Sequence, residues 1–374
     1  MIQSRIRRHV RLFCILLLLF SPLRSLKAVA QSNFPSADAL LEDEKHKEPK
    51  SGLSMQGGNL IIRSGVGTPA TVNQVSFSQD GSFLAVAKDF GRVVIFAIKP
   101  RTVLRVIETG QGVVHSVSLS PDKTLIATAG NEDKGGISIW KLGNGKRIKS
   151  VYVGHPDVQF LTFLSNDRLL VKENDQSIYV LDVTTGQKIV EISEEYYPIV
   201  SSDGKLLMTA SKDAFVLRST SDFKVLRTLP RPSKYLLPAA LSSSRDMYVA
   251  EDPFDKRGFV VAKLSDGSPL PYRSLGKELE ANPSAGFFVS IDEHSGVVFG
   301  HSQARIWAWQ PETGKVCASD VLYSEAGALS PDGTVVVSGV NNGFLSGKND
   351  PTGVRIWDTT KVLKSCGMES AHLQ

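Results

Sequence analysis

Short apolar runs alternate with polar turns from about residue 59 to the end of the chain. Turns of the Ser-Pro-Asp-Gly type separate two β-rich runs seven times, at residues 78–81, 120–123, 165–168, 201–204, 242–245, 292–295 and 330–333. Serine and aspartate bond back to their own backbone and glycine accepts a positive φ, so these residues favour tight connections between strands. The run after each turn is therefore predicted to be a strand, as at Leu125 to Ala129.

A third run in every unit ends in an apolar residue that is large in most units. These residues are Phe96, Trp140, Leu181, Leu217, Val261, Trp307 and Trp357. The turns recur at intervals of 36 to 50 residues with a mean of 42, which is the length of one four-stranded propeller blade. The pattern therefore predicts an all-β fold, a seven-bladed β-propeller of four-stranded antiparallel blades over residues 59–374.

The repeats resemble the WD-repeat family. The resemblance rests on SPDGTVVVSG followed by VRIWD, on SPDKTLIATAG followed by ISIW, on Leu181-Asp182 in the tryptophan–aspartate place and on Gly154-His155 in the glycine–histidine place. It implies a scaffold that binds proteins, usually several per disc. Only one glycine–histidine pair is present and three of seven repeats keep the tryptophan. We therefore expect the family's buried Asp-His-Ser-Trp network to be largely absent, with hydrophobic packing holding most repeats.

A propeller must join its two chain ends to avoid an open sheet edge. Two segments could complete the last blade as its outer strand, namely Asn59 to Arg63 (NLIIR) and Lys361 to Ser365. We favour the N-terminal segment, because it joins chain ends that would otherwise lie apart.

Residues 1–30 have the composition of a secretory signal peptide. Four arginines lie between residues 5 and 11, Leu12 to Phe20 is an unbroken apolar stretch, and Ala28 to Ala30 supplies small residues for cleavage. Nine apolar residues are too few to span a membrane, so we predict cleavage after Ala30, export to the periplasm or the extracellular space, and no transmembrane segment in the mature chain.

Residues 31–58 are polar and mixed in charge, which is typical of a flexible linker. The chain has no usable Asn-x-Ser/Thr motif, which favours a bacterial source.

The net charge of the chain comes from the signal segment. The whole sequence carries +5, but six basic residues and no acidic ones lie in residues 1–30, which leaves 37 basic and 38 acidic residues in the mature chain. Because phosphate binding needs clustered positive charge on the mature surface, we expect no nucleic-acid partner. The predicted partners are one or more proteins, bound by a monomer.

Cysteine usage leaves two alternatives open. Loss of Cys14 with the signal leaves Cys317 and Cys366, which could form one disulfide in an oxidising compartment. We favour two unpaired buried thiols, because the sequence does not place the two Cα atoms within bridging distance.

The sequence contains no motif of catalytic chemistry. There is no GxSxG elbow, HExxH pair or phosphate-binding loop. His294 and His301 flank a predicted strand and need not approach each other, so we expect no metal site and no cofactor. We predict a non-enzymatic interaction module. The alternative is an exported propeller enzyme, lactonase-like or quinone-dependent dehydrogenase-like, with its site at the channel mouth. It would need polar or acidic residues from the innermost strands, which read as mostly apolar.

The long connections of one face are the candidate binding site. In a propeller, the loops between second and third strands and those between blades emerge on the same face, and three of the former are long or charged, at residues 130–136, 251–258 and 341–353. Loops on a rigid scaffold commonly carry recognition, and aromatic residues anchor interfaces. The predicted partner-binding residues are Phe254, Phe344, Glu251, Asp255, Arg257, Asn342, Lys348, Tyr196, Tyr197, Tyr235 and His155. For Phe254 and Phe344 the alternative is that each ring folds back over its own blade.

Overall fold

Seven antiparallel sheets form the blades of a propeller ring, which confirms the predicted fold. The computed structural model describes residues 41–43, 60–62, 71–131, 136–152, 158–173, 177–252, 259–271, 289–301, 306–318, 326–341 and 352–368. Among these residues, no helix has the length and apolar character needed to cross a membrane.

The first three blades contain four strands each, and the chain runs from the innermost strand outward. The first blade consists of β3 (Val72–Phe77), β4 (Phe83–Lys88), β5 (Arg92–Ala97) and β6 (Thr102–Glu108). The second consists of β7 (Val114–Leu119), β8 (Leu125–Gly130), β9 (Gly136–Lys141) and β10 (Arg147–Val151). The third consists of β11 (Val158–Phe163), β12 (Arg168–Glu173), β13 (Ile178–Asp182) and β14 (Lys188–Ile192).

The next three blades repeat this order. The fourth consists of β15 (Tyr196–Val200), β16 (Leu206–Ala210), β17 (Ala214–Ser219) and β18 (Val225–Pro230). The fifth contains β19 (Leu237–Ser242), β20 (Met247–Glu251) and β21 (Phe259–Lys263), with a single bridge from Ala262 to Pro269 where an outer strand would pair. The sixth consists of β22 (Val289–Ile291), β23 (Val298–His301), β24 (Ile306–Gln310) and β25 (Lys315–Ala318).

The seventh blade joins the two ends of the propeller. Its strands β26 (Gly327–Leu329), β27 (Val335–Asn341) and β28 (Thr352–Asp358) are completed by β2 (Leu60–Ile62), which pairs antiparallel with β28. A further strand, β1 (Leu41–Asp43), pairs outside β2 and lies within the segment predicted as a linker. The favoured N-terminal closure is therefore confirmed, and the alternative segment is instead a helix, α1 (Thr359–Ser365).

A disulfide between Cys317 and Cys366 crosses the boundary between the sixth and seventh blades. The two Cα atoms lie 5.7 Å apart, which is within the range of bridged cysteines. Cys317 belongs to β25, and Cys366 directly follows α1, so the bond attaches the helix to the outer strand of the sixth blade. The expectation of two unpaired thiols is wrong, because the ring brings together residues 49 positions apart in the chain.

The hydrophobic core lies between the blades. Each neighbouring pair of blades shares one cluster of buried apolar residues, seven clusters in all among the described residues. One of them packs Val337 and Val354 of the seventh blade against Val72 and Leu84 of the first. Because both faces of every blade are buried, the strands read as apolar runs with small residues rather than as strict alternation.

Two blades contain a polar side-chain network at the positions where the resemblance to WD repeats implies such a network. In the second blade, Trp140 Nε1 donates to Thr128 Oγ1 over 2.9 Å, and the Thr128 hydroxyl donates to Gln111 Oε1 over 2.7 Å. In the fourth blade, Arg218 rather than the predicted Leu217 occupies the tryptophan position, because it pairs with Leu207 as Trp140 pairs with Ile126. Its two Nη atoms donate to the Glu195 carboxylate over 2.5 and 2.6 Å. Packing is thus supplemented in at least two blades by buried polar contacts.

In the sixth blade, the residue at the position of the WD-repeat tryptophan is not the one predicted from the sequence. Trp309 pairs with Val298, just as Trp357 pairs with Val336 in the seventh blade. The predicted residue, Trp307, instead pairs with Gly300, whose missing side chain leaves room for the indole ring. The third-strand prediction was shifted by two residues here, because the unit contains two tryptophans at the same side of the sheet.

Basic side chains on the circumference connect successive blades. Arg105 Nη2 donates to the carbonyl oxygen of Gly143 over 2.5 Å, and Lys149 donates to the carbonyl of Thr184. Each bond runs from the outer strand of one blade to the turn that follows the third strand of the next. Arg105 and Lys149 directly follow Leu104 and Ile148, the extra residues of β-bulges that leave both aliphatic side chains exposed.

Candidate binding face

Two faces of the ring differ in what their connections contain. We call "loop face" the side that carries the connections from second to third strands and from one blade to the next. We call "turn face" the opposite side, which carries the Ser-x-Asp turns. On the loop face, Asp89 pairs with Val113, and Thr109 N donates to the Gly91 carbonyl over 2.7 Å. These bonds join the turn between β4 and β5 to the connection from the first blade to the second.

Three predicted tyrosines lie on the loop face with exposed side chains. Tyr196 and Tyr197 begin β15 after the connection from the third blade, and Tyr235 lies in the connection from the fourth blade to the fifth. Their exposed fractions are 38%, 39% and 47%. Exposed aromatic rings on a rigid platform are the usual anchors of protein interfaces.

Two further aromatic residues on this face were missed by the sequence interpretation. Phe90, in the turn between β4 and β5, and Tyr152, after β10, are each 66% exposed. The sequence contained a signal for the first of them. Phe90 precedes Gly91 at a strand connection where asparagine is the preferred neighbour of glycine.

The backbone of Phe90 is held in the left-handed region. Its φ is 61° and that of Gly91 is 70°, the pattern of the two central residues of a type I′ turn. A bulky side chain is unfavourable at such φ values. The Asp89 carboxylate holds the turn in place, because it accepts from Asn73 Nδ2 over 3.0 Å and from Thr71 N over 3.2 Å. The Phe90 ring is therefore exposed to solvent at a position where the backbone conformation is unfavourable for phenylalanine.

Tyr197 shows the same combination of strain and exposure. Its φ is 54°, and the register of β15 against β16 shifts between Tyr196 and Ile199. Glu194, three residues earlier in the same connection, has a φ of 62°. Non-glycine residues in this region persist where the surrounding structure holds them, and they cluster at functional sites.

Cationic side chains accompany the tyrosines. Lys172 Nζ lies 4.9 Å from the centroid of the Tyr197 ring, and Lys234 Nζ lies 5.2 Å from that of Tyr235. Burial lowers the pKa of the Arg231 guanidinium, which lies over the Phe215 ring, 5.8 Å from its centroid. Burial also lowers the pKa of Lys172.

Glu251 does not lie where the sequence interpretation placed it. It is the last residue of β20 rather than a loop residue, and it is only 9% exposed. The remaining predicted site residues lie outside the described residues, namely Phe254, Phe344, Asp255, Arg257, Asn342, Lys348 and His155. Of the predicted set, the structure therefore brings Tyr196, Tyr197 and Tyr235 to one exposed surface.

A buried lysine lies beneath the loop face at the end of β4. Lys88 is 0% exposed, and in the described part of the chain its Nζ has no hydrogen-bond partner. Its pKa is lowered from 10.5 to about 7, mainly by burial and in part by the charge of Arg92, while the charge of Asp89 opposes the shift. A lysine so completely removed from water without a carboxylate contact is a destabilising element of the fold.

The aspartates of the turn face accept hydrogen bonds from residues of their own turns. Partial burial alone would raise the pKa of Asp80, but hydrogen bonds from Lys123, Ser78 and Ser82 hold it well below its usual range. The Lys123 contact, 2.5 Å from Nζ to Asp80 Oδ2, joins the second blade to the first. Asp122 and Asp332 make the equivalent turn contacts, and their pKa values are also lowered. These carboxylates stabilise turns rather than present free ligands.

A small cavity lies in the centre of the ring, on the side of the fourth to seventh blades. Its volume is about 120 Å³, and Val200, Ala240, Ser290 and Leu329 are among the residues that line it. Pockets for organic ligands commonly measure ~300–1,000 Å³. The only polar side chains of this lining are serine hydroxyls.

The described residues contain no group of three or more histidine, cysteine, aspartate or glutamate side chains placed to hold a metal ion. His294 lies beside Asp292, with 3.6 Å between Nδ1 and Oδ1, in the turn that precedes β23.

Comparisons with known proteins return no match, either to a protein-family model or to a curated protein. The function must therefore be argued from the geometry of this chain.

Proposed function

We propose that the protein is an exported, non-enzymatic scaffold, a monomer that holds one or more partner proteins on its loop face. The observation that carries the proposal is the set of exposed aromatic side chains on the loop face, two of which, Phe90 and Tyr197, have an unfavourable backbone conformation. Phe90 is 66% exposed, so burial gives little reason to retain a phenylalanine at this position. A WD-repeat relationship and a bacterial envelope origin belong to the same proposal.

The disulfide supports the export part of the proposal. Structural disulfides persist mainly in oxidising compartments such as the periplasm and the extracellular space. The bond between Cys317 and Cys366 agrees with the signal-like segment of residues 1–30. We propose that the mature chain begins after Ala30.

The cavity described in the centre of the ring gives no support to the enzyme alternative. A channel-mouth enzyme needs convergent titratable groups and space for a substrate. The cavity lining offers serine hydroxyls, and its volume of about 120 Å³ suits a few water molecules. Binding on the exposed loop face needs neither condition.

Replacing Phe90 by asparagine tests the proposal, because it should separate stability from binding. Asparagine tolerates the φ of 61° and is preferred before glycine in this turn. We expect the free energy of unfolding to rise by a few tenths of a kcal/mol to about 1 kcal/mol. Loss of an aromatic anchor should weaken partner binding at least ~tenfold. Urea unfolding gives the first quantity, and calorimetric titration with the captured envelope protein gives the second.

The matched control is Leu226→Asn, which removes an exposed apolar side chain from the circumference in β18. Its partner affinity should equal that of the wild type. Unchanged affinity for Phe90→Asn, together with a stoichiometric metal or organic cofactor in the purified protein, would reject the scaffold and favour the channel-mouth enzyme.

A further inference from the structure

The outer strands of the first four blades each contain a β-bulge at the same position. The extra residues of these bulges are all aliphatic, with exposed fractions between 41% and 51%, and they are Leu104, Ile148, Ile189 and Leu226. A bulge interrupts the open edge of a sheet and so discourages pairing with a foreign strand. That protection requires the bulge but no apolar side chain. The recurrence of an exposed aliphatic residue at four equivalent positions therefore indicates a further role.

Positive charge accompanies this feature mainly in the first two blades. The turn after the third strand and the outer strand of these blades, residues 98–108 and 142–151, contain six basic residues and one acidic residue. The acidic residue, Glu108, already binds Arg92 over 2.8 Å. The corresponding residues of the third and fourth blades, 183–192 and 220–230, contain three basic and two acidic residues. We call "basic edge" the outer edge of the ring formed by residues 98–108 and 142–151.

The described contacts leave much of this charge without a carboxylate. Arg105 and Lys149 donate to carbonyl oxygens of the following blade, which fixes both side chains without neutralising them. Lys99, Arg101 and Lys146 are exposed, and among the described residues none of these three forms an ion pair within 4.0 Å. Each exposed aliphatic side chain of the basic edge therefore lies between cations along its strand.

The shape of the basic edge favours a membrane over a polypeptide as the anionic partner. A polypeptide docks by adding a strand to an open sheet edge or by filling a groove. Bulges interrupt the two outer strands here, and the circumference of a ring curves outward. A bilayer accepts single protruding aliphatic side chains below its headgroups, while neighbouring cations stay with the lipid phosphates. A second copy of this chain would meet the basic edge with like charge.

We propose that the basic edge docks the propeller onto the surface of a bilayer that contains anionic phospholipids, with Leu104 and Ile148 inserted between the headgroups. Successive blades differ in direction by one seventh of a turn, so a flat surface meets two neighbouring blades rather than all four. The docked ring stands on its edge, which leaves the loop face open to a protein. The inference goes beyond the proposed function, because it concerns attachment of the ring rather than the partner that the ring holds.

Co-sedimentation of the purified protein with lipid vesicles tests this site. We expect binding to vesicles of equal parts phosphatidylglycerol and phosphatidylcholine, weakening as salt rises, and no binding to pure phosphatidylcholine. The double variant Leu104→Asn, Ile148→Asn should bind at least ~tenfold more weakly, because it loses the inserted aliphatic groups. The double variant Arg101→Gln, Lys146→Gln should also lose about tenfold, because two cations leave the lipid surface.

The chain offers a matched control for each pair. Ile189→Asn with Leu226→Asn removes equivalent bulge side chains from the third and fourth blades, and Lys205→Gln with Lys224→Gln removes the same charge from two side chains that are 80% exposed. Both controls should bind vesicles like the wild type, and urea unfolding should show that all four variants are as stable as the wild type.

Three results would overturn the membrane site. They are no binding to the anionic vesicles, equal losses in the test and control pairs, and binding to polyglutamate without binding to vesicles, which would assign the basic edge to an acidic polypeptide. The scaffold proposal is judged separately, because the affinity of Phe90→Asn for the captured protein is measured without lipid.

Discussion

Replacing Lys88 by methionine is expected to stabilise the protein by several kcal/mol near neutral pH. The ammonium group is 0% exposed, and burial shifts its pKa from 10.5 to about 7. Each pKa unit corresponds to ~1.4 kcal/mol of preference for the neutral form. Methionine has a similar length and needs no hydrogen bond, so it fills the same space without this penalty. Chemical denaturation at pH 7 measures the difference.

The pH dependence of stability distinguishes this explanation from a simple gain in packing. Because the pKa of Lys88 is lower in the folded protein, the unfolded chain binds more protons between pH 7 and 10.5. The free energy of unfolding contributed by Lys88 therefore rises with pH across this window and is lowest below it. Lys88→Met should lose this rise, whereas Lys141→Met, at an exposed position, should retain it. A methionine variant with the wild-type slope would show that Lys88 is not buried as described.

Removing the disulfide is expected to lower the free energy of unfolding by about 4 kcal/mol, the chain-entropy value for a closed loop of this length. Cys317 and Cys366 are 49 residues apart. Val362, Leu363 and Met368 remain packed against the sixth blade without the bond, and β2 still completes the seventh blade. The reduced protein should therefore stay folded but unfold at lower denaturant concentration.

The measurement compares urea unfolding with and without a dithiol reductant. The double variant Cys317→Ala, Cys366→Ala serves as the control, because its unfolding should not respond to the reductant. Wild-type protein whose transition is unaffected by complete reduction would contradict the expected role of the bond. A matching loss in the variant and in the reduced wild type would assign the effect to the cross-link rather than to the packing of the two sulfur atoms.

The candidate site was predictable in part because its location depends on strand order. Once the repeat predicts blades, antiparallel connectivity places the Tyr196, Tyr197 and Tyr235 connections on one face. These three tyrosine side chains are exposed, whereas Glu251, at the end of a strand, is buried. Alternation of residue types does not report how deeply a strand end lies beneath its neighbouring loops. The strain at Phe90 was likewise invisible without backbone angles.

The sequence alone determined the blade number, the strand order and the face that displays the predicted tyrosines. Those features follow from local turn chemistry and from a period of 42 residues, both of which act over short stretches of chain. Only the tertiary structure decided the pairing of Cys317 with Cys366, the burial of Lys88 and the contact of Lys172 with the Tyr197 ring. Each of these brings together residues from separate elements, and closure of the ring sets the distances between them.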